Sequence, residues 1–162
     1  MEGTLGLRGY LGLGSNVGDS LANLRAAADR LPVVARSSVY LTEPQGEVLD
    51  QPDFLNAAVQ IETSLSPERL LQQVKEIEAE LGRDFAQIRH GPRVVDIDLL
   101  LLGDISLSTD RLTLPHRDVL TRRFVLVPLL EIDPDLALPD GRRLSDALER
   151  LEGQRVERVG VL

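Results

Sequence analysis

Apolar positions in this chain fall into short segments of two kinds. Runs with period two, or continuous apolar runs bounded by turns, read as strands. Runs with apolar residues three and four apart read as helices. Gly9 to Gly14 reads as a first strand, and Gly14-Ser15-Asn16-Val17-Gly18-Asp19 as a turn. Asp19 or Ser20 can cap a helix to about Leu31, with Leu21, Leu24, Ala28 and Leu31 on its apolar face. Pro32 ends it. Val33 to Leu41 alternates weakly and is rich in β-branched residues, so it predicts a second strand. A long loop, Thr42 to Asp53, leads to a third strand, Phe54 to Ile61. Loops this long in a compact domain are often functional. Ser66 caps a second helix with Pro67 in its first position. That helix is expected to bury Leu70, Leu71, Val74, Ile77 and Leu81, with Gly82 closing it. After a loop from Arg83 to Pro92, Val94, Val95, Ile97 and Leu99 to Leu102 read as a buried strand.

The order βαββαβ is the split-βαβ pattern of a ferredoxin-like antiparallel sheet with both helices on one face. The remainder is less regular and predicts added C-terminal elements on this α+β core. Leu112 to His116 reads as a loop or short edge strand, and Arg122 to Ile132 as an apolar segment interrupted by Pro128. Ser145 to Leu151 reads as a short helix capped by Ser145, and Arg155 to Val161 as a closing strand. No repeat or linker divides the chain, so residues 1–162 are expected to form one domain.

The last core strand carries the most informative chemistry. Asp96 and Asp98 are two residues apart, so their side chains share one face, roughly 6.6–6.8 Å apart along the strand. Two carboxylates on an apolar strand repel each other and cost desolvation energy. A cation relieves both. Hard oxygen ligands suit Mg²⁺, which takes one or two carboxylates together with substrate phosphates. Arg89 and Arg93 flank the pair and suit those phosphates. A bare Asp-x-Asp is a weak signal and is more often a solvated or salt-bridged pair.

Net charge is −8, from 26 acidic and 18 basic residues, which argues against a nucleic-acid or anionic-membrane partner. Yet Arg83, Arg89, Arg93, Arg111, Arg117, Arg122 and Arg123 cluster around the Asp pair, with His90 and His116 among them. In an acidic chain this points to a phosphorylated small molecule rather than a polymer. No apolar run approaches the ~20 residues of a membrane span. With no Cys and no visible secretory leader, a cytoplasmic protein is expected. Gly12-Leu13-Gly14 fails as a dinucleotide fingerprint, because Val17 stands where the third glycine belongs. No P-loop is present, and two His without Cys make a zinc site a poor reading.

The run from Arg89 to Leu100 resembles the signature of the 6-hydroxymethyl-7,8-dihydropterin pyrophosphokinases. Tyr10 to Asn16, Gln51 to Ala58, Leu114 to His116 and Arg122 to Leu129 resemble further blocks of that family in the same order. The resemblance implies transfer of pyrophosphate from ATP to a reduced pterin alcohol, with AMP released, in folate biosynthesis. It implies Asp96 and Asp98 as ligands of two Mg²⁺ ions, and Arg83 and Arg93 as catalytic supports for the β- and γ-phosphates. It places Glu78, Arg93, Arg111, Thr113, His116 and Arg122 at ATP. Thr42, Glu43, Gln45, Phe54, Asn56, Asp96 and Phe124 are placed at the pterin. The two phenylalanines would stack on the flat ring, and Asn56 would read its polar edge. The chain departs from the family at His90, a commonly aromatic position. The expected partners are these two small molecules, and the expected state is a monomer. The rival reading is a non-catalytic ferredoxin-like module that binds a nucleotide or pterin. A third is a subunit that uses the exposed sheet edge as an interface.

Overall fold

The structure, a computed structural model, describes residues 6–43, 51–82 and 94–162. β1 (Leu7–Ser15) leads into α1 (Ser20–Asp29), whose first turn is capped by Asp19 accepting the Ala22 N–H at 3.1 Å. The predicted second strand is two strands, β2 (Val33–Arg36) and β3 (Ser38–Thr42). Ser37 divides them. Its hydroxyl accepts the Ala58 N–H at 2.8 Å, taking the place of a ladder carbonyl and inserting one extra residue into the pairing. β4 (Phe54–Thr63) follows, then α2 (Pro67–Glu80), capped by the Ser66 hydroxyl on the Arg69 N–H at 3.3 Å. Leu71 and Leu81 are half-buried rather than buried. β5 is Asp96–Leu102.

These strands pair antiparallel in the order β5-β1-β4-β3, with β2 also on β4. That is the expected ferredoxin-like arrangement. α1 and α2 cover one face over a core of Leu11, Leu13, Val59, Ile61, Ile97 and Leu99 from the strands, with Leu24, Leu70 and Val74 from the helices. Each such buried side chain stabilises by about 1.5–3 kcal/mol.

The helices near the C-terminus cover part of the other face, whereas Leu107, Leu112 and Leu114 before them pack into the first core. β6 (Leu107–Ser108) and β7 (Thr113–Leu114) form a small hairpin beside β5. α3 (Arg123–Ile132) runs through Pro128, which the pattern presented as an interruption. The cost of a proline in a helix, ~3 kcal/mol, is offset by complete burial of Leu126 and Leu129 against Tyr10, Ala58, Leu100 and Leu101. A bulge opposite Tyr10 and Leu11 puts both Leu100 and Leu101 on this face. α4 (Leu144–Glu149) starts after Arg143, not Ser145, and β8 (Val156–Val161) adds to the free edge of β3. Ser145 lies inside the helix, and no side chain caps that end.

α3 is tied down by its last turn. The Glu131 carboxylate accepts from the Ser38 N–H at 2.8 Å, the Ser38 hydroxyl at 2.7 Å and the Tyr40 hydroxyl at 2.6 Å. Burial first, and the adjacent Glu131 second, push the Tyr40 hydroxyl up to about 12. Burial opposes ionisation of Glu131, but these hydrogen bonds and the Arg158 charge outweigh it and lower its carboxyl below the usual value.

Candidate active site

A cleft of about 790 Å³ opens on the second face of the sheet, between the strand ends and the start of α3. Thr42, Glu43, Phe54, Asn56, Asp96, Asp98, Arg122 and Phe124 line it. Cross-strand register brings them together. Gly14 of β1 sits between Asn56 of β4 and Asp96 of β5, and Gly12 sits between Ala58 and Asp98. Both glycines are on the cleft floor. A Cβ at Gly14 would stand 2.8 Å from Asn56 Oδ1, and one at Gly12 would touch Leu100 at 3.5 Å. The Gly12-x-Gly14 pair that fails as a nucleotide fingerprint therefore serves another end: it keeps the floor open. Asn56 is buried and donates to the buried Thr42 hydroxyl through Nδ2.

A second cleft, of about 740 Å³, lies between α2, β5 and the hairpin. Arg111, Thr113 and His116 line it, together with Lys75 and Arg117. Asp98 lines both clefts. The first is aromatic and amide-bearing, the second cationic, and a carboxylate stands at their junction. Asp98 is exposed and Asp96 half-buried, so the pair suffers less desolvation than an apolar strand suggests. The reason is the alternation itself: Ile97 and Leu99 enter the core while the aspartates face the open cleft.

The cations are braced. Arg122 Nη2 lies 3.1 Å from Asp118 Oδ2, and its guanidinium sits over the Phe124 ring at 5.6 Å. The Asp118 N–H donates to His116 Nδ1 at 3.1 Å. A neutral His116 therefore carries its proton on Nε2, a donor suited to an anion. The His116 N–H in turn donates to the Leu100 carbonyl of β5 at 2.9 Å.

Glu78 sits beneath the strand that carries the aspartates. It is 2% exposed, lines neither cleft, and accepts the Ile97 N–H through Oε2 at 2.8 Å. Its carboxylate holds the backbone between the two aspartates from beneath. Lys75 approaches its other oxygen at 3.3 Å. Gln45, Arg83 and Arg93, and with them Arg89 and His90, lie outside the described residues.

The model of the 7,8-dihydro-6-hydroxymethylpterin-pyrophosphokinase family matches residues 10–134. The chain is 50% identical over 158 residues to the 2-amino-4-hydroxy-6-hydroxymethyldihydropteridine pyrophosphokinase of Methylorubrum extorquens, covering 94% of this chain and 98% of that one. The chain belongs to this pyrophosphokinase family. Membership makes it a transferase of folate biosynthesis. The folic acid synthesis protein fol1 of Schizosaccharomyces pombe is 39% identical over 162 residues, covering 96% of this chain and 22% of that protein. Among solved structures, wild-type Plasmodium falciparum HPPK-DHPS with pteroate superposes with a TM-score of 0.71 at 14% identity. That match covers 93% of this chain, which spans 43% of the solved one, and it shows the shared fold.

Within the family's fold, sequence reasoning missed the floor glycines, Asp118 and Lys75. Glycines inside a strand were the available signal for the floor. Asp118 and Lys75 carry no local pattern that separates them from ordinary surface charges.

Proposed function

We propose that this chain transfers the pyrophosphoryl group of ATP to the hydroxymethyl oxygen of 6-hydroxymethyl-7,8-dihydropterin, releasing AMP. The hydroxymethyl oxygen attacks the β-phosphorus, and the bond from that phosphorus to the α–β bridging oxygen breaks. The observation that carries the reading is Asp98 at the junction of an aromatic cleft and a cationic one. A flat pterin would lie between Phe54 and Phe124, with its polar edge on Asn56 and its hydroxymethyl group towards Asp96 and Asp98. The nucleotide would occupy the second cleft, on Arg111, Thr113 and His116, with Arg122 at the phosphates. Arg83 and Arg93 are assigned to the β- and γ-phosphates by the resemblance alone.

The donor set fits Mg²⁺. Among the described residues no group of three or more acidic or His side chains forms a metal cage. Two carboxylates that leave the remaining positions to water and phosphate are what Mg²⁺ accepts. Two such ions, when bound to Asp96 and Asp98, would neutralise the phosphate charge that otherwise repels the attacking oxygen. The chain's own part is positioning: stacking the ring, orienting the hydroxymethyl group and fixing the phosphates in line. We propose further that it acts as a one-domain monomer in the cytoplasm. None of the described helices is long and apolar enough to cross a membrane.

The test is incubation with Mg²⁺, ATP and the reduced pterin alcohol, with nucleotide products separated. AMP in step with a pyrophosphorylated pterin is the expected result. ADP would mean simple phosphoryl transfer, and bound but intact ATP would mean a binding module.

A further inference from the structure

Two consecutive residues of the C-terminal segment reach both lips of the aromatic cleft. Gln154 Oε1 accepts the Arg123 N–H at 2.7 Å, an otherwise orphan donor in the first turn of α3. The Gln154 Nε2 donates to the Thr121 carbonyl at 3.1 Å, and the Arg123 guanidinium donates to the Gln154 carbonyl at 3.1 Å. Three hydrogen bonds thus seat the start of α3, the turn that carries Arg122 and Phe124. Arg155 faces the opposite lip. Its N–H donates to Glu43 Oε1 at 3.1 Å, and its guanidinium meets Asp53 Oδ2 at 3.1 Å. Glu43 follows the last residue of β3, and Asp53 precedes Phe54, the first residue of β4.

We propose that Gln154 and Arg155 are positioning residues that set the separation of Phe54 and Phe124, and with it the affinity for the pterin. This rests on the pterin assignment of the cleft and deepens it. An aromatic sandwich is sensitive to its width, because stacking attraction falls steeply when the gap departs from contact distance. α3's first turn has no side-chain cap from Arg122, so Gln154 supplies what the helix itself lacks. The strap touches neither the cationic cleft nor Asp96 and Asp98, and it reaches the phosphates only through Arg122, on the same turn as Phe124. The two residues are not equal. The Arg155–Asp53 pair is exposed, with side chains 56% and 37% accessible, and exposed pairs contribute little. The Arg155 N–H bond to Glu43 survives any side-chain change. Gln154 is therefore the stronger member.

The experiment compares the full chain with Gln154→Ala, Arg155→Ala, Arg155→Lys and the double alanine variant. It measures KM for each substrate, kcat, and pterin binding by calorimetry with a non-hydrolysable ATP analogue present. Gln154→Ala is expected to raise the pterin KM and Kd about tenfold, with a clearly smaller rise in KM for ATP through Arg122 and a thermal midpoint close to that of the parent. Arg155→Ala is expected to give a smaller rise that Arg155→Lys restores. An unchanged pterin Kd in the double variant overturns the strap and leaves the pyrophosphokinase reading standing. So does a parallel rise in both KM values with a falling thermal midpoint, which marks general destabilisation. A parent chain that neither binds nor converts the pterin overturns both readings together.

Discussion

The two faces of the sheet are made by the same strands and do opposite work. On the α1 and α2 face, alternate positions carry Leu11, Leu13, Val59, Ile61, Ile97 and Leu99, and helices close over them. On the other face, the intervening positions carry Gly12, Gly14, Asn56, Ala58, Asp96 and Asp98. α3 and α4 close only the half that carries Tyr10, Leu100 and Leu101. The uncovered half is the aromatic cleft. A strand can therefore be core and active-site wall at once, because successive side chains point to opposite sides. The stability of one face makes room for small and polar residues on the other, which contribute little to packing.

The comparison breaks most visibly at the aspartates. Asp98→Ala, and Asp96→Ala likewise, should lower kcat on the order of 10³-fold, with the thermal midpoint close to that of the parent. Product assays and calorimetry on the same preparation check it. A variant with near-normal turnover would remove the carboxylates from the chemistry. Leu11→Ala tests the opposite face. It should cost about 2–5 kcal/mol in denaturant unfolding, while activity per folded molecule is kept. Gly14→Ala sharpens the contrast, since the new methyl meets Asn56 Oδ1 at 2.8 Å. Pterin KM should rise about tenfold, with little change in the midpoint of unfolding.

The smallest effect concerns the α3 anchor. Tyr40→Phe should cost about 1 kcal/mol at neutral pH. Tyr40 has a folded value of about 12 against an ordinary 10.0, so its stabilisation is intact below 10.0 and is lost as pH rises towards 12. The variant should lack that alkaline decline. The lowered Glu131 has the opposite sense: its contribution is present above 4.5 and is lost as pH falls through the lower folded value. Unfolding curves from about pH 3 to about pH 11 separate the two limbs.

The core elements were legible because each announces itself locally. Asp19 and Ser66 act as caps at the helix starts, as read. The βαββαβ order gave the β5-β1-β4-β3 sheet. Where reading failed, a distant partner overrode a local signal. Ser37 splits a strand because its hydroxyl meets the Ala58 N–H of β4. α3 passes through Pro128 because Leu126 and Leu129 are fully buried against the sheet. The hydrogen bond from the Ile97 N–H to the Glu78 carboxylate under β5 likewise joins positions that no local pattern connects. Arg155, read only as the start of a closing strand, reaches Glu43 across 112 positions of the chain.

By itself the sequence determined the periodic elements, their caps and the shared face of Asp96 and Asp98. These follow from backbone geometry that repeats every two or 3.6 residues. Only the tertiary structure decided that Gly14 stands between Asn56 and Asp96, that Asp98 joins two clefts, and that Gln154 seats α3. Those depend on which distant segments pair and in what register, and periodicity within one segment carries no information about that register.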